Sequence, residues 1–155
     1  MTGGIAVVIE IVNSVVTVTS GVAAGVLFTH AVGVWPALRA MAPEQYVAAH
    51  KLLGRAYDPM MPIMVITSTA LDVVLAVADA ERRALCVLAA VALGGVSLVS
   101  QTRNVPINRR VKSLDTGPVP VDWQDPRRAW GNWNLVRTTL ALIAFVANTA
   151  AMVAS

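Results

Sequence analysis

Residues 129–139 read AWGNWNLVRTT and set Trp130, Trp133, Asn134 and Arg137 at the start of a long apolar run. On a helix, positions 130, 133/134 and 137 share one face. A guanidinium is costly at the edge of hydrocarbon, but it is a strong donor to oxyanions. Indoles offer flat stacking surfaces. Asn104 and Asn108 flank a proline in NVPIN, where a fixed backbone presents two amides. His30 closes the first apolar run, and His50 shares a helix face with Tyr57 seven residues on. Imidazole is the side chain that titrates near neutral pH. Each residue also has a plainer reading. The tryptophans suit a headgroup belt, Arg137 suits snorkelling or a pairing with Asp122 or Asp125, and either histidine suits a structural helix end. The concentration of uncommon types is the signal, and it predicts that these side chains converge on one pocket.

A second polar layer is expected deeper in the chain. Glu10, Asp72 and Asn148 lie at similar depth inside three apolar runs, roughly 8–10 Å in at 1.5 Å per residue. Ionisable groups at such depth face a bundle interior, where they find partners or water. The layer reads either as a proton or cation site or as a hydrogen-bonded girdle joining helices.

The elements that must position these residues follow from composition. The chain has 155 residues, 56% of them hydrophobic and 14% charged, against about 25% charged in soluble domains. Four apolar runs, about 5–29, 60–78, 84–100 and 135–153, are each long enough to cross a hydrocarbon core of roughly 30 Å. Backbone groups in lipid must be satisfied within the segment, which selects helix. The expected fold is all-α: one domain, 1–155, forming an integral membrane four-helix bundle. A short amphipathic interfacial helix is expected from Pro43 onward in the first long loop, presenting Tyr46, Val47, His50, Leu53 and Tyr57. Residues 79–84 read as a tight turn. Residues 101–134 hold four prolines and read as an ordered loop. No internal repeat stands out.

Ten of the twelve Lys and Arg residues lie in the two long loops and their helix ends. The positive-inside rule then puts the long loops in the cytoplasm and both termini outside, as in a bacterial inner membrane. The net charge of +3 is read as topology and site chemistry rather than a nucleic-acid footprint. Cys86, the single cysteine, reads as a buried inert thiol. The start MTGG lacks a basic segment, so the first run is expected to stay as a membrane helix. No Walker loop, dinucleotide fingerprint, nucleophile elbow or zinc spacing occurs.

The pair TRNVPINRRV (102–111) and WGNWNLVRTTLAL (130–142) resembles the anthrone-oxygenase-like family of small four-helix membrane proteins, and length and loop pattern agree over most of the chain. Most members have no assigned reaction. By position the resemblance marks Asn104, Pro106, Asn108, Trp130, Trp133, Asn134 and Arg137. It implies oxidation of a polycyclic phenolic ketone to a quinone by dioxygen, with no obligatory organic cofactor; a bound metal stays open, although no metal-ligand spacing is present. On that reading His50 or His30 is the general base, and Arg137, Asn104 and Asn108 hold the oxyanion. Trp130 and Trp133, with Asn134 and Tyr57, take the flat ring system. The expected partners are a small apolar aromatic substrate and the lipid bilayer, with no nucleic acid; a homo-oligomer is compatible with this composition. The rival classes are a small proton-coupled transporter using Glu10 and a non-catalytic lipid- or ligand-binding membrane protein.

Overall fold

The computed structural model describes residues 2–115 and 117–154, and these are all-α. The helices are α1 (Thr2–Thr29), α2 (Trp35–Ala40), α3 (Pro43–Ala78), α4 (Arg83–Val99), α5 (Val105–Lys112) and α6 (Arg127–Val153). Four continuous stretches are long and apolar enough to cross a membrane: Gly3–Ala40, Pro43–Ala78, Arg83–Lys112 and Arg127–Val153. The core is built from small side chains. Ala23, Ala89 and Ala144 are fully buried against Leu27, Leu93 and Val96. Small residues let helix backbones approach closely where lipid removes the hydrophobic drive between helices. Large apolar side chains such as Ile5, Val18, Val77 and Val91 point outward instead.

Two π-helical turns interrupt this regularity, and one cause explains both. His30–Val34 precedes Pro36, and Ser100–Asn104 precedes Pro106. A proline lacks its N–H and its ring strikes the carbonyl one turn back, so the turn before it cannot close normally. Each helix widens by one residue: the N–H of Trp35 reaches the carbonyl of His30, and that of Val105 reaches Ser100. The same device therefore stands at the same offset before each proline, a structural repetition with no counterpart in sequence similarity. Such turns cluster at functional sites, and here each carries polar side chains inward.

Three expectations about the elements need correction. The amphipathic segment from Pro43 is helical but is no separate element; it is the first half of the 36-residue α3. At 1.5 Å per residue α3 is about 54 Å long, well beyond a hydrocarbon core of roughly 30 Å. Pro59 and Pro62 sit inside it without breaking it, as prolines do in membrane helices where neighbours satisfy the freed groups. Residues 100–112 are helical rather than loop, because Pro106 occupies the first turn of α5, where no N–H is needed. The turn between α3 and α4 is shorter than expected, since α4 begins at Arg83; Asp79 caps it by accepting from the N–H groups of Glu81 and Arg82.

Candidate active site

A cavity of about 480 Å³ opens where α1, α3, α4–α5 and α6 spread apart. His30, His50, Tyr57, Asn108, Trp130 and Arg137, drawn from all four stretches, line it together. Trp130 is the centre of an aromatic cluster. His50 meets it edge-on at 5.9 Å between ring centroids and His30 lies 6.3 Å away. Tyr57 packs on His30 at 4.6 Å and Tyr46 on His50 at 5.4 Å.

Each imidazole is oriented by a second group. His30 Nδ1 lies 2.7 Å from the carbonyl of Val26, which can only accept. Nδ1 therefore carries the proton, and Nε2 of the neutral ring holds the free lone pair. The Trp130 indole donates to Asn108 Oδ1 at 2.9 Å, while His50 is held between the Tyr46 and Trp130 rings with Asn108 close by. Asn104 is fully buried behind this wall and donates to the Trp130 carbonyl at 3.1 Å. It fixes the helix end that carries Trp130 rather than facing the cavity.

Arg137 holds the deep end. Its guanidinium donates to Asn134 Oδ1 at 2.8 Å and Ser100 Oγ at 3.2 Å, while Nε is buried without a partner. No carboxylate pairs with it among the described residues; Asp125, one of the partners expected for it, is taken by Arg127 instead. Asn134 is fully buried behind Arg137 and orients it. A buried cation with neutral partners only is costly as a structural element, and it is a ready donor to an incoming oxyanion. Seven residues separate Trp130 from Arg137, about 10 Å along α6, so the His50 end and the Arg137 end sit a ring system apart.

Some expected residues lie elsewhere. Trp133 is outside the cavity, with the Arg103 guanidinium 4.8 Å from its ring; three residues fall about 60° short of a full 3.6-residue turn, which swings it off the face of 130, 134 and 137. Glu10 does not join Asp72 and Asn148. It is exposed and accepts from Arg82 at 2.8 Å, because its position near the end of α1 lets the arginine after α3 reach it. Asp72 is fully buried and faces the Asn148 amide, which in turn donates to Ser20 at 3.2 Å. Among the described residues no three His, Cys, Asp or Glu side chains converge; the inner wall of the cavity offers a ligand two separate imidazoles, the Asn108 amide and the Arg137 guanidinium, with Asp58, Arg109 and Lys112 also in its lining.

Two supporting residues escaped the sequence. Trp35 donates from its indole to the Arg127 carbonyl at 3.1 Å and lies directly on Gly131. Arg127 caps the end of α2 by donating to the carbonyls of Leu38 (3.1 Å) and Met41 (2.7 Å), and its bond to Asp125 holds that carboxyl below the usual carboxylate range. The WG dipeptide at 130–131 was the available signal: a glycine beside a tryptophan on a helix marks a close approach by another group.

No curated protein and no solved structure is a significant match to the chain. The family model of anthrone oxygenase matches residues 50–147, which include the second π turn, α5 and the Trp130–Arg137 wall. The match covers 98 of 155 residues, well over half, and the chain belongs to the anthrone oxygenase family.

Proposed function

We propose that the cavity is an oxygenase site for a flat, apolar, phenolic ring system that partitions into the membrane. The observation that carries this is Arg137: a buried guanidinium with no carboxylate partner among the described residues, opposite a buried imidazole, across a cavity walled by aromatic rings. The substrate lies against Trp130 and Tyr57 with its ketone oxygen toward Arg137. His50, at the other end, takes a proton from the ring CH2 para to that ketone. The charge moves onto the ketone oxygen as an enolate, and Arg137 stabilises it there. His30 Nε2 accepts a hydrogen bond from a ring hydroxyl.

The electron-rich carbon then reacts with dioxygen. One oxygen atom becomes the new carbonyl and the other leaves as water with the two CH2 hydrogens. The substrate loses four electrons and dioxygen accepts four, so the step balances without an organic cofactor. Exclusion of bulk water by the surrounding helices strengthens the Arg137–oxyanion interaction. The positive-inside rule supports placing the cavity mouth on the cytoplasmic side, with the termini opposite.

The test is quinone formation from an anthrone by the purified chain in lipid nanodiscs under air. The wild type should exceed the protein-free rate, and His50→Ala should abolish the excess while the variant stays folded by circular dichroism. Unchanged turnover in His50→Ala removes that residue from the role of base.

A further inference from the structure

The cavity has one open side. Its lining on α1, the π turn after it, α2 and α6 is buried at Leu27, His30, Leu38 and Trp130 respectively. Its exposed lining falls in two facing stripes. Asp58, Pro62 and Ile66 run along α3 at one-turn spacing, and Gln101 and Arg109 run along α4–α5 with the half-buried Ser97 and Val105 between them. The opening is therefore a lateral slit between α3 and α4–α5. Its outer end is bridged by the Lys112–Asp58 ion pair, for which Gly54 leaves room. Along the rest, the neighbouring outward side chains are Ile63, Ile66 and Leu98, each more than 60% exposed, a surface suited to lipid.

Two side chains are out of place on that surface. Hydroxyls in apolar helices ordinarily bond to the carbonyl one turn back, as Ser100 does to Val96 and Thr102 to Leu98, both at 2.7 Å. Among the described residues the Ser97 hydroxyl and the Gln101 amide have no hydrogen-bond partner, though both line the cavity. Polar groups at such depth face a cavity when they serve something that passes through it.

We propose that ligands enter sideways from the bilayer through this slit, and that Ser97 and Gln101 select those carrying a hydroxyl or carbonyl on the edge that trails inward-facing rings. This rests on the reading of the cavity as a site for flat aromatic ligands. Ser97 and Gln101 touch the outer edge of the ligand, while Arg137 holds the inner one, so recognition is by two oxygens on opposite sides of an apolar body.

The experiment measures equilibrium quenching of tryptophan fluorescence in nanodiscs under nitrogen, with two probes: a dihydroxyanthrone and the unsubstituted anthrone. The double variant Ser97→Ala, Gln101→Met keeps volume and removes both polar groups. Two lost hydrogen bonds should shrink the preference for the hydroxylated probe by about tenfold relative to wild type. A second variant, Ile66→Trp, narrows the slit without touching the deep site and should slow association in stopped flow while the two-probe preference persists. Wild type binding both probes, with the preference unaltered in the double variant and the association rate unaltered in Ile66→Trp, overturns the proposal and leaves the cavity reading standing. Wild type binding neither probe overturns both.

Discussion

Replacing Arg137 by methionine separates a residue kept for a ligand from one kept for the fold. The guanidinium has two hydrogen bonds to neutral groups and, among the described residues, no ion pair. Losing it leaves Asn134 Oδ1 without its donor, at a cost of about 1–3 kcal/mol. Ser100 keeps its bond to the Val96 carbonyl and loses little. Against this, burying an uncompensated cation costs several kcal/mol, and an apolar side chain of similar length removes that cost. The balance predicts a thermal midpoint equal to wild type or a few degrees higher. Catalysis moves the other way: loss of the charged oxyanion donor at the deep end should reduce quinone formation by about 10²–10³-fold. The assay is thermal unfolding in detergent beside turnover in nanodiscs. A fall in midpoint of many degrees with turnover preserved per folded molecule would show that Arg137 holds helices together and does nothing to substrate.

Further outcomes follow from the supporting shell. A Cβ at residue 131 would lie 2.0 Å from the Trp35 indole, which is rigid and anchored, so Gly131→Ala should destabilise by about 1–3 kcal/mol or more; in contrast Gly54→Ala meets only the flexible end of Lys112 and should shift the unfolding midpoint very little, as thermal scans of both can show. The Asp125 carboxyl is held below its ordinary range by Arg127. A depressed folded value means the contribution is fully present above about pH 4 and is lost as pH falls further. Tryptophan fluorescence near Trp123 should therefore hold its neutral-pH value through the ordinary carboxylate range in wild type and change only as pH falls below it, and an Asp125→Asn variant should already show the acid-form signal at neutral pH.

How far the sequence reached depends on the kind of signal each residue gives. The four spans are legible because their apolar length has no other use, and the convergence of His30, His50, Asn108, Trp130 and Arg137 is legible as an excess of uncommon types. The positions of these residues along each helix were near enough to right that one cavity collects them. What failed depended on single-turn geometry. Trp133 stands one residue from the inward face, and no count of types reveals which of two neighbouring tryptophans a helix turns outward. Glu10 looked level with Asp72 by distance from the helix end, but an arginine from the next turn captured it. Helix from 100 to 112 was hidden by Pro106, whose effect is to widen one turn and start another rather than to stop the helix. Trp35 and Arg127 act through backbone carbonyls, for which side-chain patterns carry no signal.

The most direct test of the site is the fate of oxygen. The purified protein in nanodiscs, given an anthrone and isotopically heavy dioxygen, should form quinone carrying one heavy atom at the new carbonyl, with one dioxygen consumed per quinone. Formation at the protein-free rate, or a heavy-atom yield no different in the Arg137→Met and His50→Ala variants, would contradict an oxygenase site in this cavity.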